Sequence, residues 1–134
     1  MSNCRNGVCH KWFVGNDIRE ILLQNSALTE YVGNDIYPVI APEGTDGAFI
    51  LYQRDKYRKS WTKMGLYEEE CHLILTVVAE NYDEALAIAY LVDETLSGRH
   101  SNPETGCNLT IELTDSTEGF DGNKYYESLT YSIK

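Results

Sequence analysis

A chain of 134 residues, 43% of them hydrophobic, can bury roughly two thirds of its unfolded surface in one core, so a metal or a disulfide is not required to hold it. Its net charge of −10 sits in one half: residues 1–63 carry 8 Lys and Arg against 7 Asp and Glu, and residues 64–134 carry 3 against 14. Phosphate contacts need a net basic surface and a helical membrane span needs roughly 18 consecutive apolar residues, so specific nucleic-acid binding and membrane insertion are not expected.

The first residues, MSNCRNGVCHKWFVGND, lack the continuous apolar core of a signal peptide, which predicts an intracellular protein with reduced cysteines. Asn108-Leu109-Thr110 is then an inert glycosylation match. One domain over 1–134 is expected, with residues 1–15 as an N-terminal extension. Asn16 or Asp17 can cap a first helix in which Ile18, Ile21, Leu22, Leu28, Tyr31 and Val32 recur near helical spacing until Gly33 stops it; Asn25-Ser26 breaks or bends it. Ile36 to Ile40 reads as a short strand ended by Pro42, followed by the turn-rich Glu43-Gly44-Thr45-Asp46-Gly47. From Ala48 to Arg58, Phe49, Leu51 and Gln53 alternate with Ile50, Tyr52 and Arg54 before the sequence turns polar. That pattern predicts a strand leaving the sheet as an extended hairpin arm, which returns through Leu66.

The clearest signal follows. Cys71, Leu73, Leu75, Val77 and Ala79 alternate with His72, Ile74, Thr76, Val78 and Glu80, a strand apolar on both faces. Asn81 stands at an N-cap position with Glu84 three residues on, a variant of the capping box. The helix behind it carries Leu86, Ala89, Val92, Asp93 and Leu96 at helical spacing, widened by Ile88 and Leu91, and Gly98 is the natural residue past its end. Arg99 to Gly106 reads as a polar loop, Leu109, Ile111 and Leu113 as one face of a half-buried strand, and Asp115 to Asn123 as a hairpin turn. The last strand, Lys124 to Ile133, sets Tyr125, Leu129, Tyr131 and Ile133 against Tyr126, Ser128, Thr130 and Ser132. The order α-β-β-β-α-β-β predicts an α+β fold: a mostly antiparallel sheet of about five strands with two main helices packed on one face.

The residues hold no evident catalytic constellation. There is no GxxxxGK[ST], HExxH or GxSxG, so no enzyme activity and no cofactor are expected. Cys4, Cys9, His10, Cys71 and His72 include zinc-ligand types, but four residues separate Cys4 from Cys9 and no CxxC pair exists, which favours idle thiols. Glu68-Glu69-Glu70 with Glu80, Asp83 and Glu84 lacks the alternating oxygen ligands and turn glycine of a calcium loop. Interface candidates remain. Arg54, Lys56, Arg58, Lys59, Lys63 and Trp61 make the arm basic and aromatic, suited either to a solvated hairpin or to docking on an acidic neighbour. Ile74 and Val78, with Thr76, lie on the strand face opposite the core and call for a second layer or an oligomer interface.

The succession of these elements resembles a known family. A helix leading into Gly-Asn-Asp-Ile-Tyr-Pro (Gly33 to Pro38), a proline-glycine loop (Ala41 to Gly44), a strand with Tyr52-Gln53-Arg54, and a strand running into a helix through Ala79 to Glu84 and on to Leu96-Ser97-Gly98 are similar to the tail-completion, or tail-terminator, proteins of long-tailed bacteriophages and prophages. These belong to the minor tail and head-tail joining group. The resemblance covers roughly Asp17 to Ile133; the cysteine-containing segment before Trp12 and the basic Arg54 to Lys63 arm depart from it. It implies a non-catalytic ring, a hexamer, that ends tail-tube growth and contacts tail-tube and head-tail connector proteins, in the bacterial cytoplasm during assembly and in the virion tail afterwards. A small acidic adaptor or regulatory module that binds a basic partner is the alternative reading.

Overall fold

The computed structural model describes residues 4–5, 8–9, 14–45, 47–61, 65, 67–101 and 108–133. A two-residue hairpin, β1 (Cys4–Arg5) and β2 (Val8–Cys9), precedes the main body. Then come helices α1 (Val14–Leu23) and α2 (Ser26–Val32), strands β3 (Ile36–Pro38), β4 (Phe49–Trp61) and β5 (Tyr67–Ala79), helix α3 (Tyr82–Leu96), and strands β6 (Gly98–Ser101), β7 (Asn108–Asp121) and β8 (Lys124–Ile133). The fold is α+β. Its sheet has six strands in the order β3-β4-β5-β8-β7-β6, antiparallel except for β3, which runs parallel to β4.

Asn25 explains why, among the described residues, three helices stand where two were expected. Its side chain accepts the Ala27 and Leu28 N–H groups, opening α2 as a separate helix, and its Nδ2 donates to Thr95 Oγ1 of α3 at 2.6 Å. Gly33 closes α2 with a positive φ, its N–H donating to Thr29 O. Upstream, α1 starts at Val14, ahead of the Asn16 or Asp17 cap expected, because Val14, Ile18 and Leu22 form one buried stripe. Tyr31, counted with the apolar stripe, faces outward.

The sixth strand and the parallel pair have local causes. β3 stops at Pro38 instead of Ile40, since Val39 takes φ +63° and Ile40 N–H turns back to Pro38 O. The chain then loops round, and β4 starts at the same end as β3, with Ile50 N–H bonded to Asp35 O and Val39 N–H to Tyr52 O. β6 occupies the start of the expected polar loop: Gly98, at φ +116°, turns the chain out of α3 and lays residues 98–101 against β7. The expected turn at Asp115 to Asn123 shrinks to Gly122 and Asn123, both at positive φ, while β7 continues to Asp121.

One core unites these elements. The alternate residues Cys71, Leu73, Leu75, Val77 and Ala79 of β5 are buried, as are Leu129, Tyr131 and Ile133 of β8, and α3 covers them with Ala85, Ile88, Ala89, Val92 and Leu96. Leu86, placed in the buried stripe by its spacing, is exposed; the small Ala85 and Ala89 face the sheet instead. The strand-to-helix joint is capped as its sequence predicts, Asn81 Oδ1 accepting Glu84 N–H at 2.8 Å and its Nδ2 donating to Glu84 Oε2 at 3.2 Å. Among the described residues no helix is long and apolar enough to cross a membrane.

Candidate interaction surface

The basic arm is the outer half of the β4–β5 hairpin. An irregularity between Arg54 and Lys56 shifts the register, after which Arg58, Lys59 and Ser60 fall opposite Glu70, Glu69 and Glu68. Arg58 Nη2 donates to Glu70 Oε2 at 2.7 Å, Lys56 Nζ lies 3.6 Å from Glu70 Oε1, and His72 Nε2 lies 3.0 Å from the same oxygen. The Arg58 hydrogen bond, then that of His72, holds the Glu70 carboxyl down to about 2. Part of the arm's positive charge is therefore already matched within the hairpin. Arg54 lies over the Tyr57 ring at 5.4 Å, and Trp61, at the end of β4, is 71% exposed. Lys63 lies outside the described residues.

Ile74 and Val78 are half-buried on the face of β5 turned away from the helices, beside Phe49 and Leu51 of β4 and Tyr126 of β8. The three helices bury their apolar residues in the core on the other face. Lys124 partly covers this one, its Nζ 5.3 Å from the Phe49 ring centre.

Three features escaped the sequence reading. The outer edges of β4 and β7 are the first: β3 pairs β4 only as far as Tyr52 and β6 pairs β7 only as far as Ile111, so Gln53 to Trp61 and Glu112 to Asp121 have no further strand beside them among the described residues. The second is an exposed stripe on α3, Tyr82, Leu86 and Tyr90, whose i, i+4, i+8 spacing was there to be read. The third is Glu127, which falls on the core face of β8 at 4% exposure.

Glu127 pairs across the ladder with Glu118, which accepts the Tyr82 hydroxyl at 3.0 Å. Burial, then the hydrogen bond and charge of the adjacent Glu118 carboxyl, pushes Glu127 up to about 7. Asp17, in the first turn of α1, is raised to about 6 by burial and by Glu20. These acids are separate, and among the described residues no three His, Cys, Asp or Glu side chains converge as metal ligands. Cys71 and His72 point to opposite faces, while Cys4 and Cys9 are register partners in the small hairpin. A concavity of about 390 Å³ between the start of α1 and β4 is lined by Val14, Pro38, Val39, Tyr52, Arg54 and neighbours, with no nucleophile beside a base.

No protein-family model matches this chain, and no curated protein sequence matches it. Among solved structures, a chain in the virion of a native gene transfer agent particle has the same fold, with a TM-score of 0.69 and 14% identity over 87% of this chain and 89% of that one.

Proposed function

We propose that this protein is a non-catalytic structural subunit of a phage or phage-like virion, and that it forms a ring completing the tail tube and joining it to the head. The observation that carries the reading is the fold shared over most of both chains with a component of a gene transfer agent virion. The order of elements from α1 to β8, which resembles tail-completion proteins, supports the finer assignment. So does the surface: exposed Trp61, Leu113 and Phe120, two uncovered strand edges and a half-buried outer sheet face suit a chain that works in contact with others. In such a ring the partners are other copies of the chain, the tail tube and the head-tail connector. Acidic side chains turned to the lumen would repel passing DNA.

Native mass spectrometry and negative-stain electron microscopy of the full chain test this. The expected result is a closed ring of one subunit number, and neighbouring genes that encode tail-tube, portal or tape-measure proteins. A chain that stays monomeric at every concentration, in a neighbourhood without virion genes, would return the acidic adaptor reading.

A further inference from the structure

We propose that copies of the chain meet head to tail by strand addition, the outer edge of β4 past Tyr52 lying antiparallel to the outer edge of β7 past Ile111 in the next copy. The inference deepens the ring reading by naming the surface on which subunits join. It rests on that reading's self-association and not on a place in a tail.

The two edges are shaped for one another. Each runs from a short outer strand, β3 on one side and β6 on the other, to the tip of a hairpin, so each is a stretch of nine or ten residues with no further strand beside it among the described residues. They lie on opposite sides of the sheet, which makes the contact heterologous and able to propagate from copy to copy. Charge selects the pairing. Gln53 to Trp61 contains four basic residues and one acid, whereas Glu112 to Asp121 contains four acids and no base. Joining β4 to β4, or β7 to β7, sets like charges side by side; β4 against β7 sets opposite ones. Because Glu70 already draws in Lys56 and Arg58, charge mainly selects the partner, and the backbone ladder with Trp61, Leu113 and Phe120 holds it. On β7, Ser116 N–H donates to its own Asp115 side chain at 2.9 Å, a donor turned away from the existing ladder.

The geometry also permits closure. Within one copy Tyr57, Cys71, Ile133 and Ile111 share a row across the sheet, as do Lys56, His72, Ser132 and Glu112. The irregularity between Leu113 and Asp115 leaves Asp115 three ladder positions from the first row, and Arg58 lies one position beyond that row on the other side. Setting Arg58 opposite Asp115 of the next copy therefore displaces that copy along the strands by about four residues, or about 14 Å, for each four-strand width of about 19 Å. That slope tilts the strands by about 35° from a ring axis, at the lower end of the roughly 35–45° range of closed sheets.

The test mixes unlabelled and heavy-nitrogen-labelled full chains, allows exchange, and couples amines to carboxylates with a zero-length carbodiimide before mass spectrometry. Links from Lys56 to Asp115, which share the outer face in this register, should appear between labelled and unlabelled chains, with Lys56 to Glu70 within one chain as the internal control. Ser116→Pro, which removes the outward donor together with its local bond to Asp115, should leave the fold intact but abolish the mixed link and reduce the assembly to single subunits. Should that variant fail to fold, the wild-type link map decides alone. Associated wild-type chains without the edge-to-edge link, or a folded Ser116→Pro that assembles like wild type, overturn this inference and leave the ring standing. A wild type that never associates overturns both.

Discussion

Strands β5 and β7 are nearly equal in length, 13 and 14 residues, yet they occupy opposite situations. β5 has strands on both sides and α3 over its inner face, and every second residue from Cys71 to Ala79 is buried. β7 buries only Leu109 and Ile111, and from Glu112 onward one of its edges lies outside the ladder. The contrast separates two jobs of a strand. β5 supplies stability through apolar packing, whereas the outer half of β7 contributes little to the core and presents backbone, acids and Phe120 to whatever lies beside it.

The largest expected effect tests that division on the β5 side. Leu75→Ala should cost about 2–5 kcal/mol in urea melts, the range for emptying a fully buried leucine site. A loss under about 0.5 kcal/mol would mean that β5 is not the keystone. Next come the joints that hold helices to the sheet. Asn25→Ala should cost about 1–2 kcal/mol, because it removes a cap and the bond to Thr95 together. Asn81→Ala, which loses a cap alone, should cost about 1 kcal/mol. The reverse ranking would show that α2 is only loosely tied to α3.

The Asn81 joint and β5 were legible in the sequence, while the Asn25 cap and the outer half of β7 were not, and the reason is physical. Hydrophobic alternation reports burial, so it identified β5, the inner half of β7 and the core face of β8, where the helices select apolar residues. It has no purchase on an edge: Asp115 to Asp121 and Gly98 to Ser101 are strands because their backbones pair with β8 and β7, a contact that polar side chains do not reveal. Leu86 failed for the opposite reason, since Ala85 and Ala89 let α3 approach the sheet closely on an adjacent face. The basic arm was read as the outer part of a hairpin, but its Glu70 neutralisation depended on a register that only the folded hairpin fixes. Glu127 was hidden because nothing local marks an acid as buried.

That acid gives the next prediction. A carboxyl whose pKa is raised on folding stabilises the fold while protonated, and the stability is lost as pH rises from the unfolded value towards the folded one. For Glu127 the interval is 4.5 to about 7, and for Asp17 it is 3.8 to about 6. Melting temperature should therefore be higher at pH 5.5 than at pH 7.5, then fall modestly below pH 4.5, where the unfolded chain protonates Glu70 while the fold holds it charged down to about 2. Glu127→Gln should flatten the upper part of the profile; an unchanged slope would place the titration elsewhere. The smallest effect belongs to the β7 edge. Thr117→Ala should change stability by less than about 0.5 kcal/mol, and a loss comparable to Leu75→Ala would erase the distinction between the two strands.

Backbone hydrogen exchange, compared between a dilute sample of single subunits and a concentrated assembly, tests most directly whether the two edges form the assembly surface. Protection should rise together at 53–61 and 112–121 on assembly and stay unchanged in Cys71 to Ala79, already slow in the single subunit. Equal exchange at both edges in the two samples, with new protection confined to other segments, would contradict it.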